Sequence, residues 1–182
     1  MKFLKRFFGN LSDLQKRILF TLGALIVYRI GSFIPLPGVN ASAVLHLFQG
    51  DNGMMGMFDM FSGGSLSRMS VLALNIFPYI SASIVLQLLS ATSKSLGELR
   101  KEGESGRMKI NQYTRYLTLA ILIPQSMAYL ANLESQLAGT GAIQVETGVM
   151  FYATSTIILA AGSMFILWLG ERITDKGLGN GV

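Results

Sequence analysis

The chain has 182 residues, 51% of them hydrophobic and only 14% charged, with a net charge of +5 and a mean hydropathy of +0.47. Soluble domains carry about 25% charged residues, so the composition points to a membrane protein. No cysteine and a single histidine, His46, exclude a disulfide framework, a thiolate metal site and a histidine metal cluster.

The basic start MKFLKRFFGNLSDLQKR leads into an apolar run over residues 18–34. That run is longer than a signal-peptide core and no A-x-A site follows it, so it reads as a retained first span. Pro35 and Pro37 end it. A helix needs about 20 apolar residues to cross the hydrocarbon layer. Residues 71–89, 116–133 and 149–169 supply three more candidates.

Residues 54–66 are neither a span nor a polar loop. They carry Met54, Met55, Met57 and Met60, then the Gly63-Gly64 pair. A helix over 58–66 would be ~13 Å long. A re-entrant half-helix in a protein cavity, an amphipathic helix on the outer surface and a plain hydrophobic loop all fit. Methionine fills irregular gaps without one fixed partner, and glycine permits unusual backbone angles.

The second span carries Asn75, Pro78, Ser81, Ser83 and Gln87, and helical spacing places Ile76, Ile80, Ser83, Ile84 and Gln87 on one face. Pro78 is expected to kink the helix. Polar groups in a span face the bundle interior or a water path, and the alternative is plain interhelical bonding. The third span repeats the pattern with Pro124-Gln125. In the fourth, Ala153, Thr156, Ala160 and Ser163 form a small-residue stripe suited to helix packing.

Basic residues cluster. Lys2, Lys5, Arg6, Lys16 and Arg17 precede the first span. Lys94, Arg100, Lys101, Arg107, Lys109 and Arg115 lie between the second and third, and Arg172 and Lys176 follow the fourth. The connection 132–148 has none. The positive-inside rule puts the N-terminus, residues 90–115 and residues 170–182 in the cytoplasm. Arg29 is expected to snorkel to the opposite interface. The basic 90–115 stretch is a solvated loop, or meets anionic lipid or a polyanion such as ribosomal RNA.

No zinc-protease, P-loop or nucleophile-elbow pattern occurs. GLGNG at 177–181 lacks the strand and helix of a nucleotide loop and reads as a turn. The serines of ISAS have only His46 as a possible histidine base, and it lies off the spans. An enzyme is not expected.

Five stretches, RIGSFIPLPGV (29–39), MFSGGSLSRMS (60–70), PYISASIVLQLL (78–89), EGESGRMKINQYTRY (102–116) and WLGERITDKGLGNG (168–181), resemble the N-terminal half of the SecY family, channel subunits of the bacterial protein translocase. The resemblance covers essentially the whole chain. It implies an all-α, polytopic bundle of four spans plus a short re-entrant plug helix, part of a ten-span channel of two inverted halves. A fifth span would begin where the sequence stops, so a piece of a longer chain is expected.

It implies a plug over about 54–66, with Phe58, Met60, Phe61, Ser62, Gly63, Gly64 and Leu66 as its residues. Ile76 and Ile80 match a pore ring, and Ser81, Ile84, Gln87 and Gln125 a lateral gate. Arg100, Lys101, Arg107, Lys109, Arg172 and Lys176 would face cytoplasmic partners. Implied partners are SecE and SecG, the SecA motor ATPase, the ribosome, preprotein with its signal sequence, and membrane lipid. No cofactor or metal is implied, and the location is the bacterial plasma membrane. The rival class is a secondary transporter with broken helices. The second to fourth spans lack interior Asp, Glu, Lys or Arg, which disfavours ion coupling. A plain helical scaffold leaves the Met-rich piece unexplained.

Overall fold

A computed structural model describes residues 12–40, 42, 44, 54–139 and 141–181. Among the described residues six helices are defined, α1 (Asp13–Gly31), α2 (Met54–Phe61), α3 (Phe77–Thr92), α4 (Lys94–Lys101), α5 (Glu104–Leu137) and α6 (Val149–Lys176). The described residues include two isolated bridges, Pro35 with Ser70 and Val39 with Ile143, and no strand. His46 and the N-terminal lysines lie outside the described residues.

Ser12 and Gln15 start α1 with a reciprocal capping box. Asp13 in its first turn and Arg29 in its last both suit the helix dipole. The helix stops at Gly31, three residues short of the apolar run, because Pro35 and Pro37 force an extended exit. Among the described helices, α5 and α6 are long and apolar enough to cross a membrane, and α3 is a shorter apolar helix.

α3 differs from the continuous span over 71–89. Residues 71–76 are turns, and Pro78 sits in the first helical turn after the N-cap Ile76. A proline there loses no intrahelical hydrogen bond, so Pro78 starts the helix instead of kinking it. Pro124, by contrast, lies inside α5, which continues through it.

Residues 90–115 are not a loop. They comprise the end of α3, then α4 and the first three turns of α5, the last two folded back on each other. Charged side chains made this stretch look like a solvated connection, but Lys, Glu and Arg are good helix formers. Gly103, at φ +76, turns the chain. Gly106 permits the close packing, since a Cβ there would lie 1.6 Å from the Leu99 carbonyl oxygen. With 34 residues, α5 is ~51 Å long and exceeds a ~30 Å hydrocarbon layer.

α5 runs antiparallel to α6. Arg115 pairs with Glu171 at one end, and Tyr152 donates a hydrogen bond to Glu134 at the other. α6 also lies against α1, where Arg17 donates to the Gly177 carbonyl at 3.3 Å and the Leu178 amide to Thr21 Oγ1 at 3.1 Å. On α6, Thr156 and Ser163 of the small-residue stripe are buried, Ala160 is half-buried and Ala153 is exposed. The closest approach comes from Gly162, where a Cβ would sit 1.9 Å from the Val71 carbonyl oxygen.

The bundle therefore has two unlike ends. One gathers the last turn of α1, residues 62–76, the end of α5 and the start of α6. Its core includes Leu36, Val39, Met69, Leu74, Leu130 and Leu133. The other end gathers α4, the start of α5 and the end of α6, with Arg100, Lys101, Arg107, Lys109, Arg172 and Lys176 all exposed.

Candidate functional site

The segment after α2 is tied down by hydrogen bonds as well as by burial of Leu66, Met69, Leu72 and Leu74. Tyr28 Oη donates to the Ser62 carbonyl at 3.0 Å and Arg29 Nη1 to the Gly63 carbonyl at 2.8 Å. Tyr129 Oη, from α5, reaches the Leu66 carbonyl at 3.4 Å. The Asp59 carboxylate accepts from the Ser67 amide at 2.8 Å, and the Asp59 carbonyl accepts from the Gly64 amide at 2.9 Å. Further along, the Leu36 amide donates to the Met69 carbonyl at 2.8 Å and the Val71 amide to the Ile34 carbonyl at 2.9 Å.

Gly63 and Gly64 both take left-handed angles, φ +65 and +79, which only glycine adopts without strain. Ser62, Ser65, Leu66 and Ser67 are buried and Gly64 is half-buried, whereas Gly63 is exposed. Arg29 also packs against an aromatic ring. Besides holding Gly63, it shares the Phe33 ring with Arg68, the guanidinium carbons lying 4.8 and 4.3 Å from the ring centre.

α2 itself is the opposite case. Met60 is 84% exposed, Phe61 75% and Met57 64%. The helix ends at Phe61, so the 58–66 stretch is half helix and half buried turn. The side chains of Phe58, Met54 and Met55 lie outside the described residues.

α3 begins beside this turn. Ile76 is its N-cap, and the Ile80 amide donates to the Ile76 carbonyl at 3.1 Å, so the two isoleucines lie one turn apart. Ile80 and Ile84 are exposed on that row and Ile76 is half-buried. The opposite face, Pro78, Ala82, Leu86 and Ser90, is buried. Its small residues let α3 and α5 approach closely.

Ser81 and Gln87 are exposed, and Gln125 is half-buried. Gln87 Nε2 donates to Ser83 Oγ at 3.2 Å. Gln87 lines a cavity of about 490 Å³ with Tyr79, Arg100, Arg107 and Asn111. Gln125 is not in that cavity. It lies three turns along α5 from Thr114, another lining residue, so these four polar and apolar gate candidates form no single cluster.

At the basic end, Arg115 and Glu171 close to 2.5 Å, and Lys109 and Glu102 to 3.7 Å. Arg172 stands over the Trp168 ring at 5.6 Å and near Asp175 at 4.0 Å. A second polar cavity of about 530 Å³ opens there between Tyr79, Asn111, Arg115, Glu171 and Thr174. No cluster of three or more His, Cys, Asp or Glu side chains suited to a metal occurs among the described residues.

Several contributors were not singled out from the sequence. Tyr28 and Tyr129 donate to distant carbonyls, which no local spacing announces, and Asp59 accepts from the Ser67 amide. Gly162 differs from the neighbouring small residues only by what faces it.

Comparison with known proteins bears on the whole chain. The SecY family model matches residues 70–182. The protein translocase subunit SecY of Escherichia coli K12 is 50% identical over 175 residues, covering 96% of this chain and 39% of the relative. The SecY subunit of Haemophilus influenzae is 52% identical over 171 residues, and that of Rickettsia typhi 48% over 171, each covering 93% of this chain. The chain thus spans about two fifths of the length of these curated relatives. On a family match over more than half its length and relatives at this identity, the chain belongs to the SecY family.

Proposed function

We propose that this chain forms the N-terminal part of a protein-conducting channel that passes unfolded preproteins across a bacterial plasma membrane and releases apolar segments sideways into lipid. One observation carries the reading. A short helix with exposed apolar side chains is followed by a buried polar seat, which Tyr28 links to Asn75, the residue before the isoleucine row of α3. A selective solute site would instead gather charged or polar groups at mid-depth. The relatives are named protein translocase subunits, in keeping with this reading.

In the proposed channel the basic end is cytoplasmic, as the positive-inside rule requires. Ile76 and Ile80 form part of a constriction that resists wetting, and α2 closes it from the outer side. Large apolar side chains grip no particular sequence, which suits passage of many chains. The exposed faces of α3 and α5, with Ser81, Ile84, Gln87 and Gln125, supply one side of the lateral gate. Arg100, Lys101, Arg107, Lys109, Arg172 and Lys176 offer donors to SecA, to a ribosome or to anionic headgroups. SecE, SecG and the other half of the channel complete the ring. No covalent chemistry is involved, and the work comes from the motor or from chain elongation.

A cysteine at Ile80 in the full-length channel should crosslink to an arrested secretory chain, and one at Ala153, on α6, should not. Equal labelling at both positions, or energy-coupled solute uptake without crosslinking at Ile80, contradicts the channel reading.

A further inference from the structure

We propose that Tyr28 and Arg29 form a latch that ties the seat of the closing helix to the constriction at Ile76. The inference rests on the reading of α2 as closing element and of Ile76 and Ile80 as constriction.

Two consecutive side chains from the last turn of α1 hold two consecutive carbonyls, Ser62 at 3.0 Å and Gly63 at 2.8 Å. These residues directly follow α2, so the bonds fix the point from which the helix would swing. The left-handed backbone of Gly63 and Gly64 turns the chain there. The Tyr28 oxygen has lone pairs to spare, and Asn75 Nδ2 donates to it at 3.4 Å. Asn75 also holds a left-handed angle, φ +49, and leads straight into Ile76, the N-cap of α3. Asparagine tolerates that region better than most residues. One hydroxyl therefore touches both the hinge of the closing segment and the residue that aims the constriction.

The consequence is coupling. When the seat leaves, the Tyr28 proton loses the Ser62 carbonyl and must turn to another acceptor. The hydrogen-bond geometry that fixes Asn75 then changes with it, so seal and constriction loosen together. Arg29 stays parked on the Phe33 ring beside Arg68, a position from which it can recapture the Gly63 carbonyl. Tyr28 and Arg29 are thus positioning residues that need not touch the passing chain.

The test uses the full-length channel with its partner subunits in planar bilayers. Tyr28→Phe keeps the ring and removes the hydroxyl. Asn75→Gly removes the side chain and keeps the backbone angle accessible. Each should raise resting conductance several-fold, and the double variant should conduct no more than the leakier single one. Arg29→Gln should also leak, and Arg29→Lys should return conductance towards the parent, because an ammonium can donate to the same carbonyl. Parental conductance in Tyr28→Phe overturns the latch, as do multiplicative effects of Tyr28→Phe and Asn75→Gly. If the parent shows no conductance linked to an engaged preprotein, the channel reading falls and the latch with it. A parent that passes preprotein while Tyr28→Phe stays silent sinks the latch alone.

Discussion

α2 and the turn that follows it are neighbours in sequence and opposites in chemistry. The helix is apolar and shows Met57, Met60 and Phe61 to the outside. The turn, rich in serine and glycine, is buried and tied down by Tyr28, Arg29, Asp59 and Tyr129. In an ordinary fold the assignment would be reversed. Hydrogen bonds to backbone carbonyls fix a place without demanding a large apolar contact, while an exposed apolar helix can be covered and uncovered. In the proposed channel the polar half is the mount of the resting state, held until its hydrogen bonds open, and the apolar half is the part that closes against the rest of the channel.

The comparison is broken most severely by displacing the mount. Gly162→Val puts side-chain atoms where the Val71 carbonyl now lies. Overpacking against backbone should cost about 3 kcal/mol, read as a lower denaturation midpoint. A midpoint at the parental value would mean that residues 62–76 do not rest on α6 as described.

Within the mount, Ser65 is fully buried and donates to the Ser62 carbonyl at 2.9 Å. Ser65→Ala removes only the hydroxyl and leaves that carbonyl with one donor fewer, which should cost about 1–2 kcal/mol. Phe61→Ala lies on the other side of the comparison. With 75% of Phe61 exposed, the change should shift stability by under about 0.5 kcal/mol while raising resting conductance of the full-length channel. A stability loss larger than that of Ser65→Ala would reverse the roles assigned to the two halves.

The smallest effect concerns the loop beside the mount. Hydrogen bonds from Thr147 and Tyr152 hold the Glu134 carboxyl below the usual carboxylate range. A carboxylate with a depressed folded pKa contributes its stability above the unfolded value near ~4.3. That contribution is lost as pH falls through the folded value. Glu134→Gln should remove this part of the acid dependence, measured as denaturation midpoint between pH 6 and the acid limit, and leave the rest of the curve in place.

Much of this was legible in the sequence. Sorting the Lys and Arg residues anticipated the basic end, because charges that belong on one side of a membrane cluster in the chain as well. The isoleucines at 76 and 80 lie one turn apart as their spacing requires. The 54–66 stretch stood out through its methionines and glycine pair, but its division at Phe61 did not, since apolarity alone could not tell a helix from a buried turn. Pro78 read as a kink because its span was drawn too early, and local sequence does not say whether a proline begins a helix or interrupts one. Residues 90–115 read as a loop because polarity masks helix propensity when a helix leaves the membrane. The anchors Tyr28 and Tyr129 were invisible because each acts across more than thirty residues.

The central claim is that a closing helix and an isoleucine constriction seal one passage in series. Resting conductance of the full-length channel in planar bilayers tests it, with residues 54–61 removed and the seat from Ser62 onward kept. The account predicts a leaky channel that still translocates, and a further rise when Ile76→Gly and Ile80→Gly are added. A combined variant as tight as the parent would contradict both assignments.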